Sequence, residues 1–434
     1  MLLPAPLIAD SICRIVVAIA MLGWFGASAA FAQLDPKPLL NPEQFKQGKG
    51  DYNLRTSTAL KSINPGASEI ADLKKGAKFV IYRQTLKSEQ DALSKNVQRL
   101  LTDTANTQAT APARAEFFKE LVKVAPDVLN DPEQPLIAKI QVVLILSNLY
   151  VKQQGQGGRP PVPFTGQFKD LAKILLNSEN SLPVRLEAAV GLVRIAKDYE
   201  AGTTGGDLTV NERSDIADAF VEALKSPSLQ GAENNSWWIR YRCAEGLGVV
   251  GMTTNVTKRV VFADFLLDML RNPKEDFRAR ARAAHSLSML EYSVGSNLDI
   301  AVFETVKLHR DLLAAYNKNP AIPGFRKAAE EVYLSFRPEV VAQQNLFQGF
   351  MFQHKRWAGG SKTLQAAAEA GYKAILPLSQ DTLGAGGKLK TKYSVEAHED
   401  FLKKNAPTSN KLVPESRGAT NKTIDPQPMA AAGP

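Results

Sequence analysis

The sequence reads as an all-α chain of stacked helical hairpins, on the strength of three observations. Apolar residues recur at helical spacing in paired segments of about 12–18 residues across positions 113–337, with polar turns between them. The second segment of successive pairs carries a basic residue near its start and small residues three to four positions later. Cysteine is nearly absent, with two in 434 residues, while 44% of residues are hydrophobic, so folding must rest on apolar packing and not on disulfides.

Residues 1–32 read as an export signal. The apolar run at 15–30 follows Arg14, and Ala30-Phe31-Ala32 supplies the small-x-small pattern of a signal peptidase site. Cleavage is expected between Ala32 and Gln33, giving a periplasmic or secreted protein with no membrane span after cleavage. An uncleaved anchor is the competing reading, weakened by Gly23, Gly26 and Ser28. The mature chain keeps a formal charge of +9 and one thiol, Cys243, read as a small buried hydrophobe. Residues 33–112 are expected to form an extended lead-in with one or two helices, carrying Phe79, Leu86, Leu93, Val97 and Leu100, and a linker at 102–112.

The pairs follow. An early, weaker one has Phe117, Phe118, Leu121 and Val122, then a second segment from Ala138. Phe168, Leu171, Ile174 and Leu175 form the next first-helix face, followed by VRLEAAVGLVRIA from Val184. Ile216, Phe220, Ala223 and Leu224 precede IRYRCAEGLGVVG from Ile239. Phe262, Phe265, Leu266 and Met269 precede ARARAAHSLSML from Ala279, and Val302, Val306 and Leu313 precede FRKAAEEVYLSF from Phe325. The basic residues are Lys139, Arg185, Arg240, Arg280 and Arg326, at intervals of 46, 55, 40 and 46 residues. The long interval contains an insertion at 226–237. Ala188-Ala189, Ala283-Ala284 and Ala328-Ala329 permit close packing of each second helix on its neighbours.

A two-helix unit recurring about every 40–47 residues resembles the HEAT and armadillo-type repeats, including the exported bacterial type. The resemblance covers about half the chain, and the segments at 183–196 and 279–290 carry it best. It implies a right-handed α-solenoid of about five HEAT-like hairpins over 113–338, because one pair cannot bury its apolar face alone. The family usually places an Asp in the turn before the shared Arg, forming a ladder between repeats. Here only Asp131 fits, and the other turns offer Asn177, Ser226, Asn272 and Asn317. Residues 339–383 are expected to form a helical cap, with Leu364, Ala368, Gly371 and Ile375 on one face. Residues 384–434 are expected to be a disordered basic tail, since no aromatic residue follows Phe401 and five of the last 30 residues are Pro.

The search for chemistry is mostly negative. Two cysteines exclude a four-Cys zinc site, an iron–sulfur cluster and c-type haem, and four histidines argue against a multi-His metal centre. No Walker A loop, G-x-S-x-G elbow or H-E-x-x-H is present. No catalytic, cofactor or metal residue is therefore assigned. His309 continues an apolar helical series, His285 is expected to face outward, and Glu330-Glu331 read as solvated helix charges. Trp238 and Arg242 fall off the inward face of their helix, and Arg278 and Arg282 share a face of theirs. These four are the candidate partner-binding residues. Trp237 is read as an anchor for the insertion or as part of that interface, and Arg280 as a repeat-position ladder residue. The expectation is an exported, non-enzymatic scaffold that binds an unidentified protein partner, with no nucleic acid and no cofactor. A HEAT-like lyase or chaperone-lyase, or a cell-envelope protein binding an anionic polymer, is the alternative.

Overall fold

A computed structural model describes residues 38–92, 95, 97, 99–100, 104, 109–152, 161–203, 205–230, 236–337, 349–353, 362–383 and 389–417. The expected signal at 1–32, most of the linker at 102–112 and residues 418–434 lie outside the described residues. The described residues are mainly helical, and the strand pair among them is short. No helix among the described residues is long and apolar enough to cross a membrane. The chain divides into two compact units: Met1–Leu171 with Asp198–Asp207, and Ala172–Lys197 with Leu208–Pro434.

In the first unit the lead-in, expected to be extended apart from one or two helices, is helical from Pro42. Helix α1 (Pro42–Asp51) starts at Asn41, whose side chain accepts from the Gln44 N–H while the Gln44 side chain accepts from the Asn41 N–H. This reciprocal cap, with Pro42 at the first helical position, fixes a start that weak apolar periodicity does not advertise. After a π turn at Tyr52–Thr56, α2 (Ala67–Tyr82) buries Leu73, Phe79, Val80 and Ile81. Phe79 lies 5.8 Å from Phe45 and 6.0 Å from Tyr52, ring to ring. Helix α3 (Ala111–Val124) packs on α2, and α4 (Leu136–Ser147) follows. Strands β1 (Tyr150–Lys152) and β2 (Val162–Pro163) pair antiparallel. The Thr165 N–H donates to the Gly205 carbonyl at 2.8 Å, so the 200–207 loop lies against this hairpin.

Helix α5 (Phe168–Leu176) is followed by the second unit's hairpin helices: α6 (Leu182–Asp198), α7 (Val210–Lys225), α8 (Trp237–Val250), α9 (Phe262–Arg271), α10 (Phe277–Met289), α11 (Asp299–Lys318) and α12 (Phe325–Phe336). Within the pairs α7/α8, α9/α10 and α11/α12 the two helices pack on each other. Across pairs, α7, α9 and α11 are neighbours, and so are α8, α10 and α12. The small residues act as their spacing predicts: Ala188, Ala189, Ala283, Ala284, Ala328 and Ala329 are all buried. Gly248 lies hard against α10. A Cβ there would sit 2.7 Å from the Ser286 Cβ and 2.8 Å from its Cα on α10. Gly248→Ala should therefore cost about 1–3 kcal/mol in urea unfolding, although alanine is the better helix former. A gain in stability would show that the two helices have room to spare.

Helix α13 (Lys362–Leu383) packs on α11 and α12, burying Leu364, Ala368 and Ile375. The expectation of a disordered tail fails for residues 389–417. They form α14 (Glu396–Lys404) with flanking extended chain, and they bury Tyr393, His398, Phe401, Leu412 and Val413. Composition averages over the segment; five well-seated apolar or aromatic side chains suffice to hold it. Removing residues 389–434 should lower the thermal midpoint by several degrees, because it uncovers Tyr316 and His309 beneath. An unchanged midpoint would show that the segment contributes nothing to folding.

Candidate functional site

The four candidate residues come together on the second helices α8 and α10, around a cluster that also takes in α12. Trp237 and Tyr241 stand one turn apart on α8, and Arg278 and Arg282 one turn apart on α10. The two rows meet. The Arg278 guanidinium lies 3.3 Å over the Trp237 ring, and that of Arg282 lies 4.7 Å over Tyr241. Asp276, the N-cap of α10, holds Arg278 through two 2.8 Å bonds. Gly324, at φ +73, leaves the space its side chain needs: a Cβ there would lie 2.7 Å from the Arg278 Cγ. Trp238 stacks on Trp237 at 3.9 Å and stays half-buried. Arg242 pairs with Glu245 on the next turn.

Beneath this surface sits a residue that sequence reasoning missed. Glu331 of α12, expected to be solvated, is fully buried. Its carboxylate accepts from the Tyr241 hydroxyl at 2.6 Å and from His285 Nδ1 at 2.8 Å. Arg282 lies 3.1 Å away and Lys327 3.0 Å. His285, expected to face outward, is buried in the same cluster. The helical period carried a signal for Glu331: Ala328, Glu331 and Ser335 share one inward stripe. Helix α10 has neighbours on several sides and is buried almost all round, which no single apolar face announces. Arg282 therefore serves mainly as the counter-charge to Glu331, with its side chain only 12% exposed.

Burial alone would raise the Glu331 carboxyl. The His285 N–H, Arg282 and Lys327 overcome it and hold the group well below the usual carboxylate range. Burial pushes the Tyr241 phenol up to about 12 and the His285 imidazole down from its ordinary value. His285 is accordingly neutral near pH 7, donating from Nδ1 to the carboxylate. Burial works against the Glu245 carboxyl too, but Arg242 and Arg282 hold it below its ordinary value.

The shared basic positions form a second pattern. Arg185 Nε donates to the Leu175 carbonyl at 2.8 Å, Arg240 Nη1 to that of Leu224 at 2.8 Å, and Arg280 Nε to that of Leu270 at 2.9 Å. Each acceptor is the penultimate residue of the preceding first helix, whose last carbonyls lack intrahelical partners. The same guanidinium then reaches forward: Arg185 to the Ser228 hydroxyl at 2.9 Å, Arg240 to the Glu275 carboxylate, and Arg280 to within 4.0 Å of Asp311. The missing turn aspartates are thus replaced by partners in the next hairpin. Arg326 does not join the series. It is exposed, and the residue three before Ala328 is the buried Phe325. A recess of about 210 Å³ beside the Arg240–Glu275 pair is lined by Leu224, Phe265, Asp268, Met269 and Asn272.

Comparison with known proteins matches this chain to no family model, no curated protein and no solved structure.

Proposed function

We propose that the chain is an exported, non-enzymatic scaffold of the HEAT-repeat type that binds a protein partner through the ledge formed by Trp237, Trp238, Arg242 and Arg278. On this reading α7/α8, α9/α10 and α11/α12 are consecutive repeats of a right-handed solenoid, and the sequence period over 113–337 extends the count to about five. Support for the repeat comes from the arginine at a fixed register in α6, α8 and α10, closing its own hairpin and reaching the next. The observation that carries the binding reading is the stacked tryptophan pair. Two large aromatic rings lie half-buried at the helix start while the charges around them are already paired. Aromatic residues beside a held arginine are the side chains that most often anchor protein interfaces. Paired cations disfavour the anionic-polymer alternative, which needs unneutralised charge.

The test is site-specific photo-crosslinking in the exported fraction. Benzoylphenylalanine at position 238 or 242 should give the same discrete adduct, and at Val294, 80% exposed and on another part of the second unit, none. Arg278→Glu should abolish the adduct from 238. Adducts of equal diversity from all three positions would sink the ledge as a docking site. A mature N-terminus other than Gln33 would overturn the cleavage expectation separately.

A further inference from the structure

The segment 389–417 is a strap tied to α11, and two buried histidines sit in the middle of it. Along the strap, the Tyr316 hydroxyl donates to the Lys390 carbonyl at 2.9 Å, and Asn317 and Tyr393 exchange two hydrogen bonds of 2.8 and 2.9 Å. Further on, the Asn297 N–H donates to the Leu412 carbonyl at 2.7 Å, and the Ser416 hydroxyl donates to Asp264 at 2.6 Å. Between these ties His398 of α14 meets His309 of α11. Nδ1 of His309 and Nε2 of His398 are 2.7 Å apart, the rings stack at 4.9 Å, and the residues are 0% and 2% exposed. One ring donates and the other accepts, which requires at least one neutral imidazole. The outer nitrogens, His309 Nε2 and His398 Nδ1, have no hydrogen-bond partner among the described residues.

We propose that the His309–His398 contact is an acid-sensitive latch that holds the 389–417 strap on α11 and releases it when the imidazoles take up protons. A first proton places a charge in a buried site with no acceptor for the outer N–H. A second turns both facing nitrogens into donors and removes the shared bond. The charges on the surrounding elements do not compensate. Arg310, next to His309 on α11, acts on His398 and opposes protonation. Asp264 of α9 takes the Ser416 hydroxyl, and Arg280 of α10 faces Asp311. Glu331 of α12 belongs to the Tyr241 cluster, and Asp381 of α13 pairs with Lys390. On α14 itself Glu396, Glu399, Asp400, Lys403 and Lys404 are exposed. Burial, with Arg310 beside it, holds His398 down at about 4, and burial with His398 as neighbour holds His309 well below its ordinary value.

The sign follows from these directions. A released imidazole titrates near 6.5, so the open form binds protons first as pH falls. Each histidine then favours release by up to about tenfold per pH unit below that value. The two titrate as a coupled pair.

Hydrogen exchange of the full chain, read peptide by peptide and corrected for intrinsic rate, tests this at pH 7.5 and 5.0. The expected result is a rise of about tenfold or more in exchange of 389–417 at pH 5.0, with α6 and α7, which carry no histidine, unchanged. A His309→Phe/His398→Phe variant keeps stacked rings that cannot titrate, and its strap should exchange equally at both values. Asp264→Asn should leave the response intact. The latch is overturned if wild-type strap protection is the same at both pH values. It is equally overturned if protection is lost in step with α6 and α7, or if the response persists undiminished in the double phenylalanine variant.

Discussion

Glu331→Ala is expected to destabilise the protein by about 3–5 kcal/mol, the range for removing one partner from a buried charge cluster. The carboxylate is fully buried and is the common acceptor of Tyr241, His285 and Arg282. Its removal leaves the Arg282 guanidinium, nearly enclosed, without its nearest counter-charge. Lys327 is 46% exposed in its side chain and recovers water, so it adds little to the loss. Glu330→Ala, one residue away on the half-buried surface beside Lys327, should change stability by about 0.5 kcal/mol or less. Urea unfolding of the two variants side by side gives the comparison, and equal small effects would remove the cluster as a stabilising element. The pH dependence has a fixed sign. The folded carboxyl lies below its unfolded value of about 4.3, so its contribution is complete above that pH and is lost as pH falls through the folded value. The gap between wild type and Glu331→Ala should therefore narrow only in acid below about pH 4.

Arg240→Ala is expected to have an effect of similar size, about 3 kcal/mol, because it breaks two connections at once. The guanidinium satisfies the Leu224 carbonyl at the end of α7 and forms a two-bonded pair with Glu275, both side chains being 8% exposed. Glu275→Gln keeps a hydrogen-bond acceptor while removing the charge. A double-mutant cycle between these positions should show coupling of about 1–3 kcal/mol. Additive losses would mean that the pair links the hairpins in geometry alone. Arg326→Ala, out of register and exposed, is the matched control and should be nearly silent.

Much of the helical framework was legible, residue by residue. The alanine pairs lie where the 3.6-residue period places them; Arg185 and Arg280 stand three residues before their pairs, as Arg240 stands three before Cys243-Ala244. Arg326 misled because it stands two residues before its alanine pair, not three; the register belongs to Phe325. Glu331 and His285 were not legible from residue type, since a charged residue reads as solvated until its partners are known. Those partners lie 90 and 46 residues away in sequence, at Tyr241 for Glu331 and at Glu331 for His285. The 389–417 segment was missed for a different reason. Its ordering rests on a few specific seats, such as Leu412 and His398, and mean composition is blind to those. The helix at 42–51 went unread because its cap, and not its apolar pattern, defines it.

The arginine rungs end where Phe325 takes the register position. Twisting strain travelling along the second helices meets a guanidinium joined to a backbone carbonyl at α6, α8 and α10, and at α12 a single carboxylate, Glu331, that takes Tyr241 from α8 and His285 and Arg282 from α10. Load on the last hairpin therefore converges on one carboxylate, in the hairpin that α13 and α14 splint from outside.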